Sequence, residues 1–112
     1  MLKIEAIIQP AKLDNVRDAL KGVGVDGLTV SEVRGHGRQK GHKEVYRGRE
    51  YQIDLLPKIK IETVIPAERK DEVVRALIAA ARTGAIGDGK IFISEVAEAI
   101  RIRDESRGEA AL

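Results

Sequence analysis

The chain contains no cysteine, which excludes disulfides, thiolate metal ligands and thiol nucleophiles together. Tryptophan is absent too, and Tyr46, Tyr51 and Phe92 are the only aromatic residues. Proteins that grip single-stranded nucleic acid stack bases on aromatic rings, and this chain has few to offer. Neither sign of charge dominates: 20 Lys and Arg against 18 Asp and Glu leave a net charge of +2. A generic polyanion binder carries a strong basic excess, so any anion site here must come from local clustering. No apolar run approaches the roughly 20 residues that span a bilayer. Lys3 and Glu5 interrupt the first apolar stretch and Pro10 ends it, so no signal peptide is expected. His36 and His42 are too few and too isolated for a metal site, and no Ser/His/Asp set can be assembled from the spacing. These absences leave a non-enzymatic, intracellular protein as the expectation.

What is present is one domain's worth of regular pattern. The 112 residues suit a single domain, residues 1–112, with a modest core. Ile4 to Ile8 reads as a strand stopped by Pro10. Leu13, Val16, Leu20 and Val23 recur at helical spacing between Lys12 and Gly22. Leu28 to Val33 is short and β-branched, and Lys58 to Ile65 opens with strict polar/apolar alternation, so both read as strands. Pro66 closes the second, and Val73, Val74, Leu77, Ile78 and Ala81 then make the stripe of a helix over 67–82. Lys90 to Val96 reads as a last strand, Ala97 to Arg103 as a short further element, and 104–112 as a frayed, flexible tail. The order β-α-β-β-α-β predicts an α+β, ferredoxin-like sandwich, with two helices on one face of a four-stranded antiparallel sheet. Ile4, Val30 and Ile61 make the strands look too apolar for the other face to stay wet, which predicts oligomerisation through it.

Two segments break this economy. Between the second and third strands, where hairpins use about 2–5 residues, Gly35 to Leu56 inserts a long run rich in glycine and charge. A segment of this kind is either functional or a tolerated solvated insertion. The second is Thr83-Gly84-Ala85-Ile86-Gly87-Asp88-Gly89-Lys90. Closely spaced glycines let backbone N–H groups approach a phosphate, and the lysine adds charge. It runs from a helix into a strand and Ile91 follows Lys90, so it is not a Walker loop, and a plain helix cap and turn is the competing reading. Arg101 and Arg103, on one side of an extended segment, suit either a phosphate chain or a solvated strand. Lys58, at the far root of the long insertion, meets either a carboxylate or water.

Gly35-His36-Gly37-Arg38-Gln39-Lys40-Gly41-His42, Glu44, Tyr46-Arg47-Gly48, Glu50-Tyr51 and Leu56-Pro57-Lys58 resemble the T-loop signature of PII nitrogen-regulatory proteins. Ala80-Ala81-Arg82-Thr83-Gly84 with Ile86-Gly87-Asp88-Gly89-Lys90-Ile91-Phe92 resembles that family's B-loop, and Arg101-Ile102-Arg103 its C-loop. The similarity runs from Lys3 to about Arg103 in fixed order. It implies a cytoplasmic homotrimer that reports nitrogen, carbon and energy status, with ATP or ADP in clefts between neighbouring subunits. It places the T-loop at about 37–55. The implied nucleotide residues are Thr29, Gly37, Arg38, Gln39, Glu62, Val64, Gly87, Asp88, Gly89, Lys90, Arg101 and Arg103. Gln39 would ligate a Mg²⁺ that bridges ATP and 2-oxoglutarate, and Gln39, Lys40, Gly41 and Lys58 would hold the acid. Tyr51 matches a tyrosine that is uridylylated in some lineages and adenylylated in others. The implied partners are an ammonium transporter, through which alone a membrane would be met, and nucleotidyltransferases of glutamine synthetase control, with no nucleic acid among them. Gln9, Ala11 and His36 depart from the family's commoner residues, and Arg49 stands where some members carry a phosphorylated serine. The competing functions are a ferredoxin-like RNA-binding module, which needs aromatics on its sheet, and a weak ATPase, which needs a base.

Overall fold

Pro10 and Pro66 stand at equivalent places in two β-α-β units. Each lies just past a strand, at the entry to a 3₁₀ turn (Pro10–Lys12 and Ala67–Arg69) that leads into a helix. Proline has no N–H for a further ladder bond and its fixed φ suits a helix start, so strand end and helix start coincide. The computed structural model of the protein describes residues 1–36 and 55–112 in full and, between them, the backbone of 43–46 and 49–52. Its elements are β1 (Leu2–Ile8), α1 (Leu13–Gly22), β2 (Thr29–Gly35), β3 (Lys43–Tyr46), β4 (Arg49–Gln52), β5 (Leu56–Ile65), α2 (Lys70–Ala81) and β6 (Gly89–Glu95).

Four strands form one sheet in the order β2-β5-β1-β6, with every neighbouring pair antiparallel. Together with two helices this is the expected ferredoxin-like architecture. β3 and β4 pair separately, with Lys43 opposite Gln52 and Tyr46 opposite Arg49. They lie inside the long insertion, where the sequence shows no strand periodicity.

The helical stripes do what their spacing implies. Val16 and Leu20 of α1 and Val73, Leu77 and Ala81 of α2 are buried against Ile4, Ala6 and Ile8 of β1 and Ile59, Ile61 and Ile65 of β5. Thr63 is the one buried polar side chain among the described residues, and its hydroxyl donates to Gly27 O at 2.6 Å. That bond satisfies a group that would otherwise be buried unpaired, and it ties β5 to the approach to β2. Among the described residues, no helix is long and apolar enough to cross a membrane.

Two expectations are corrected. Ile4 and Ile61 are each 1% exposed beneath the helices, and Val30, opposite Ile61, shares their face. The residues offered as the reason for oligomerisation therefore turn toward the helices. The open face instead carries a charged ladder: Lys60 Nζ lies 3.4 Å from both Glu5 and Glu62, and Lys3 Nζ lies 3.6 Å from Glu62. Counting apolar residues along a strand does not assign them to a face; only alternation and register do. The second correction is the tail. Ile100 bridges Arg107, Gly108 N donates to Ala99 O at 3.0 Å, and Gly108–Ala111 closes a 3₁₀ turn. Polar composition hid these local hydrogen bonds.

Candidate functional site

The open face is where the strand candidates meet. In register, Glu62 stands opposite Thr29 on one side and Glu5 on the other, while Lys90 stands opposite Ile7. Alternation puts Lys58, Glu62, Val64, Thr29 and Lys90 on this one face. They do not converge within one chain. Thr29 and Lys90 lie on opposite edge strands, three strand spacings or about 14 Å apart.

One corner is more concentrated. Ile8 is opposite both Ile59 and Gly89, so the end of β1 brings Lys58 of β5 near the glycine-rich loop that leads into β6. Lys58 Nζ donates to Gly87 O at 2.9 Å. Burial pushes its pKa down, against the attraction of Asp88. The same side chain, with Pro10, Glu32, Val33, Arg34 and Pro57, lines a cleft of about 640 Å³.

The loop from Thr83 to Gly89 is tightly drawn. Asp88 accepts from Thr83 N and Gly84 N, each at 2.8 Å, and from the Thr83 hydroxyl, while Thr83 Oγ1 in turn accepts from Ala85 N at 3.2 Å. Gly84, Gly87 and Gly89 all have positive φ. At Gly89 the need for glycine is absolute in steric terms: φ is +104° and a Cβ would lie 1.7 Å from Ile7 O. This is an ordered, glycine-dependent turn with backbone close to β1, and Lys90 follows it exposed on the open face. Thr83 carries no ligand role in the sequence reading, yet it closes the neck of the loop. The signal was a hydroxyl residue five positions before an aspartate across glycines, a local side-chain-to-backbone pairing. These donors give Asp88 a shaping part in the loop.

Hydrogen bonds from the Thr83 side chain and then its backbone hold the Asp88 carboxyl below its ordinary value, with Gly84 and Lys12 adding to the effect and burial opposing it. A depressed pKa means the clamp's stabilisation is present above the unfolded pKa of about 3.9 and is lost as pH falls through the lower folded value. In an NMR titration, the Asp88 carboxyl and the Thr83 and Gly84 amides should share a midpoint below that of ordinary aspartate. Thr83→Ala should move the midpoint up. A midpoint already at the ordinary value in the parent protein rules the clamp out.

The C-terminal arginines are not in an extended segment. Arg101 donates to Asp104 at 3.3 Å and to the carbonyls of Ala110 and Leu112 at 3.0 and 3.4 Å, and the chain turns through 102–104. Asp104 also accepts from Ser106, whose hydroxyl leads the causes that lower its pKa. Arg103 points outward, its side chain 80% exposed. Residues in a turn do not alternate, so alternation is not what aligns the two forks; both reach Asp104 Oδ2, Arg101 at 3.3 Å and Arg103 at 4.0 Å. Gly37, Arg38, Gln39, Lys40, Gly41 and the Tyr51 side chain lie outside the described residues. Among the described residues, no cluster of three or more His, Asp or Glu suited to a metal occurs.

Residues 1–106 match the family described as "Nitrogen regulatory protein P-II". The chain belongs to the P-II nitrogen regulatory family. It is 55% identical over 112 residues to a "Nitrogen regulatory protein P-II" of Haemophilus influenzae and 57% identical to one of Rhodobacter capsulatus. It is also 57% identical to "Nitrogen regulatory protein P-II 1" of Escherichia coli K12. Each comparison covers 100% of both chains. A P-II chain is a nitrogen signal-transduction regulator, and regulation of this kind implies contact with partner proteins.

Proposed function

We propose that this P-II chain works as a cytoplasmic homotrimer, without catalytic turnover, that binds ATP or ADP and, with Mg-ATP, 2-oxoglutarate. The observation that carries the reading is the corner where Lys58 lines a cleft and is bonded to Gly87 of the glycine-rich loop, with exposed Lys90 at the end of that loop. Closely approaching backbone and an exposed cation suit a polyphosphate, and a half-buried ammonium suits a carboxylate. The separation of Thr29 and Glu62 from Lys90 favours clefts built from two chains, one supplying the glycine-rich loop and the other Thr29, Glu62, Val64, Arg101 and Arg103. Exposed Arg103 is placed to reach a neighbour, whereas Arg101 holds its own turn together. Mg²⁺, when bound, supplies the positive charge that lets a triphosphate and a dicarboxylate sit side by side; Gln39 is its proposed ligand. The insertion that contains Gln39, Lys40 and Gly41 then reports occupancy to an ammonium transporter or to nucleotidyltransferases of glutamine synthetase control. Tyr51, in the same insertion, is the proposed site of uridylylation or adenylylation.

Arg103→Ala tests the two-chain cleft. Loss of a charge-assisted hydrogen bond worth about 1.5–3 kcal/mol should weaken ATP binding by about ten- to a hundredfold in calorimetry. The melting temperature should stay near that of the parent, since the side chain is exposed. Unchanged ATP affinity, or a monomer by light scattering, would falsify the arrangement.

A further inference from the structure

Lys58 stands between two surroundings. Its side chain lines the cleft beside Arg34 and Pro57, yet its ammonium is given to the Gly87 carbonyl across the end of β1. The bond joins residues 29 apart in sequence and fixes the peptide after Gly87. That peptide lies between two anchors, the Asp88 clamp at the neck of the loop and the close approach of Gly89 to Ile7. Gly87 has a positive φ, and glycine's permissive backbone lets that peptide rotate once Lys58 lets go.

We infer that Lys58 is a shared donor: without a bound acid it positions the glycine-rich loop through Gly87, and a carboxylate entering the cleft takes the ammonium and frees that carbonyl. The inference rests on the proposed reading of Lys58 as a carboxylate partner. Its direction follows from the chemistry of the two acceptors. A carboxylate sets a full negative charge against the ammonium where a carbonyl sets only a dipole, so the acid competes for the bond with the stronger electrostatic attraction. The four-carbon stem of lysine is flexible enough to turn from one acceptor to the other within a cleft of about 640 Å³. Acid binding then alters the loop through the protein itself, and by reciprocity the state of the loop alters acid affinity.

The readout is the carbonyl-carbon NMR resonance of Gly87. In ligand-free protein, Lys58→Met should shift it as the hydrogen bond is lost, and Lys58→Arg, which keeps a donor, should return it part-way. The Met variant should also bind ATP about two- to tenfold more weakly in the absence of acid, the worth of one lost hydrogen bond. With ATP and Mg²⁺ bound, adding 2-oxoglutarate to the parent should close the difference between its Gly87 resonance and that of the Met variant. No shift in the ligand-free Met variant overturns the positioning role. A difference that persists while calorimetry shows the acid bound overturns the sharing. If calorimetry shows no acid binding at all, the earlier reading fails and takes the sharing with it, a result recognisable because the ligand-free shift is still seen.

Discussion

Gly89→Ala should weaken ATP binding by at least about tenfold, a loss of about 1.4 kcal/mol or more, and destabilise the fold as well. The added Cβ would sit 1.7 Å from Ile7 O and 2.8 Å from Ile7 C, both backbone atoms of a central strand that cannot step aside. The φ of +104° adds strain for any L side chain. Left-handed strain of about 1–2 kcal/mol and overpacking of about 1–3 kcal/mol sum to a stability loss of about 2–5 kcal/mol. The loop would have to lift from β1, carrying Gly87 and Lys90 out of place. Gly84→Ala is the control, because its φ is also positive but nothing lies within 4 Å of the new Cβ. It should lose only the strain component, about 1–2 kcal/mol in urea unfolding. Equal stability losses in the two variants would show that the approach to Ile7 is unimportant.

The second large effect is linkage between ligands. Calorimetric titration with 2-oxoglutarate should give binding in the presence of ATP and Mg²⁺ and little with ADP or without the metal. One pair of like charges about 4 Å apart, at an effective dielectric of about 20, repels by about 4 kcal/mol, or about a thousandfold in affinity. Lys58 can offset one carboxylate, but its cationic form is already disfavoured by burial. A dicarboxylate beside a triphosphate therefore needs further positive charge, and reciprocity requires the acid to tighten ATP by the same factor. Equal affinity for the acid in the ATP and ADP forms would overturn the proposed linkage.

Much of the fold was legible in the chain. The helix of 70–81 announces itself through Val73, Leu77 and Ala81, and β5 through the alternation from Lys58 to Ile65, because both patterns repeat within a few residues. The glycine-rich loop and the insertion stood out as departures from those patterns. The parts that went unread were long-range or face-dependent. Hydrophobicity alone does not assign Val30 and Ile61 to a face; parity turns both toward the helix side, where Ile61 is buried and edge-strand Val30 stays exposed. Thr83 carries only a weak signal, a hydroxyl five positions before an aspartate, and its part follows from the bond to Asp88. Arg101 and Arg103 lie in a turn rather than an extended segment, and it is Asp104, not strand alternation, that both guanidiniums reach.

The amino-acid order by itself determined the succession of elements and the two proline-stopped strands, since each depends on neighbours a turn or less away. Only the tertiary structure decided which strand face lies open, that Asp88 closes its own loop, and that the Lys58 ammonium ends on Gly87. Those outcomes depend on register between segments distant along the chain, and no local pattern encodes where such segments come to rest.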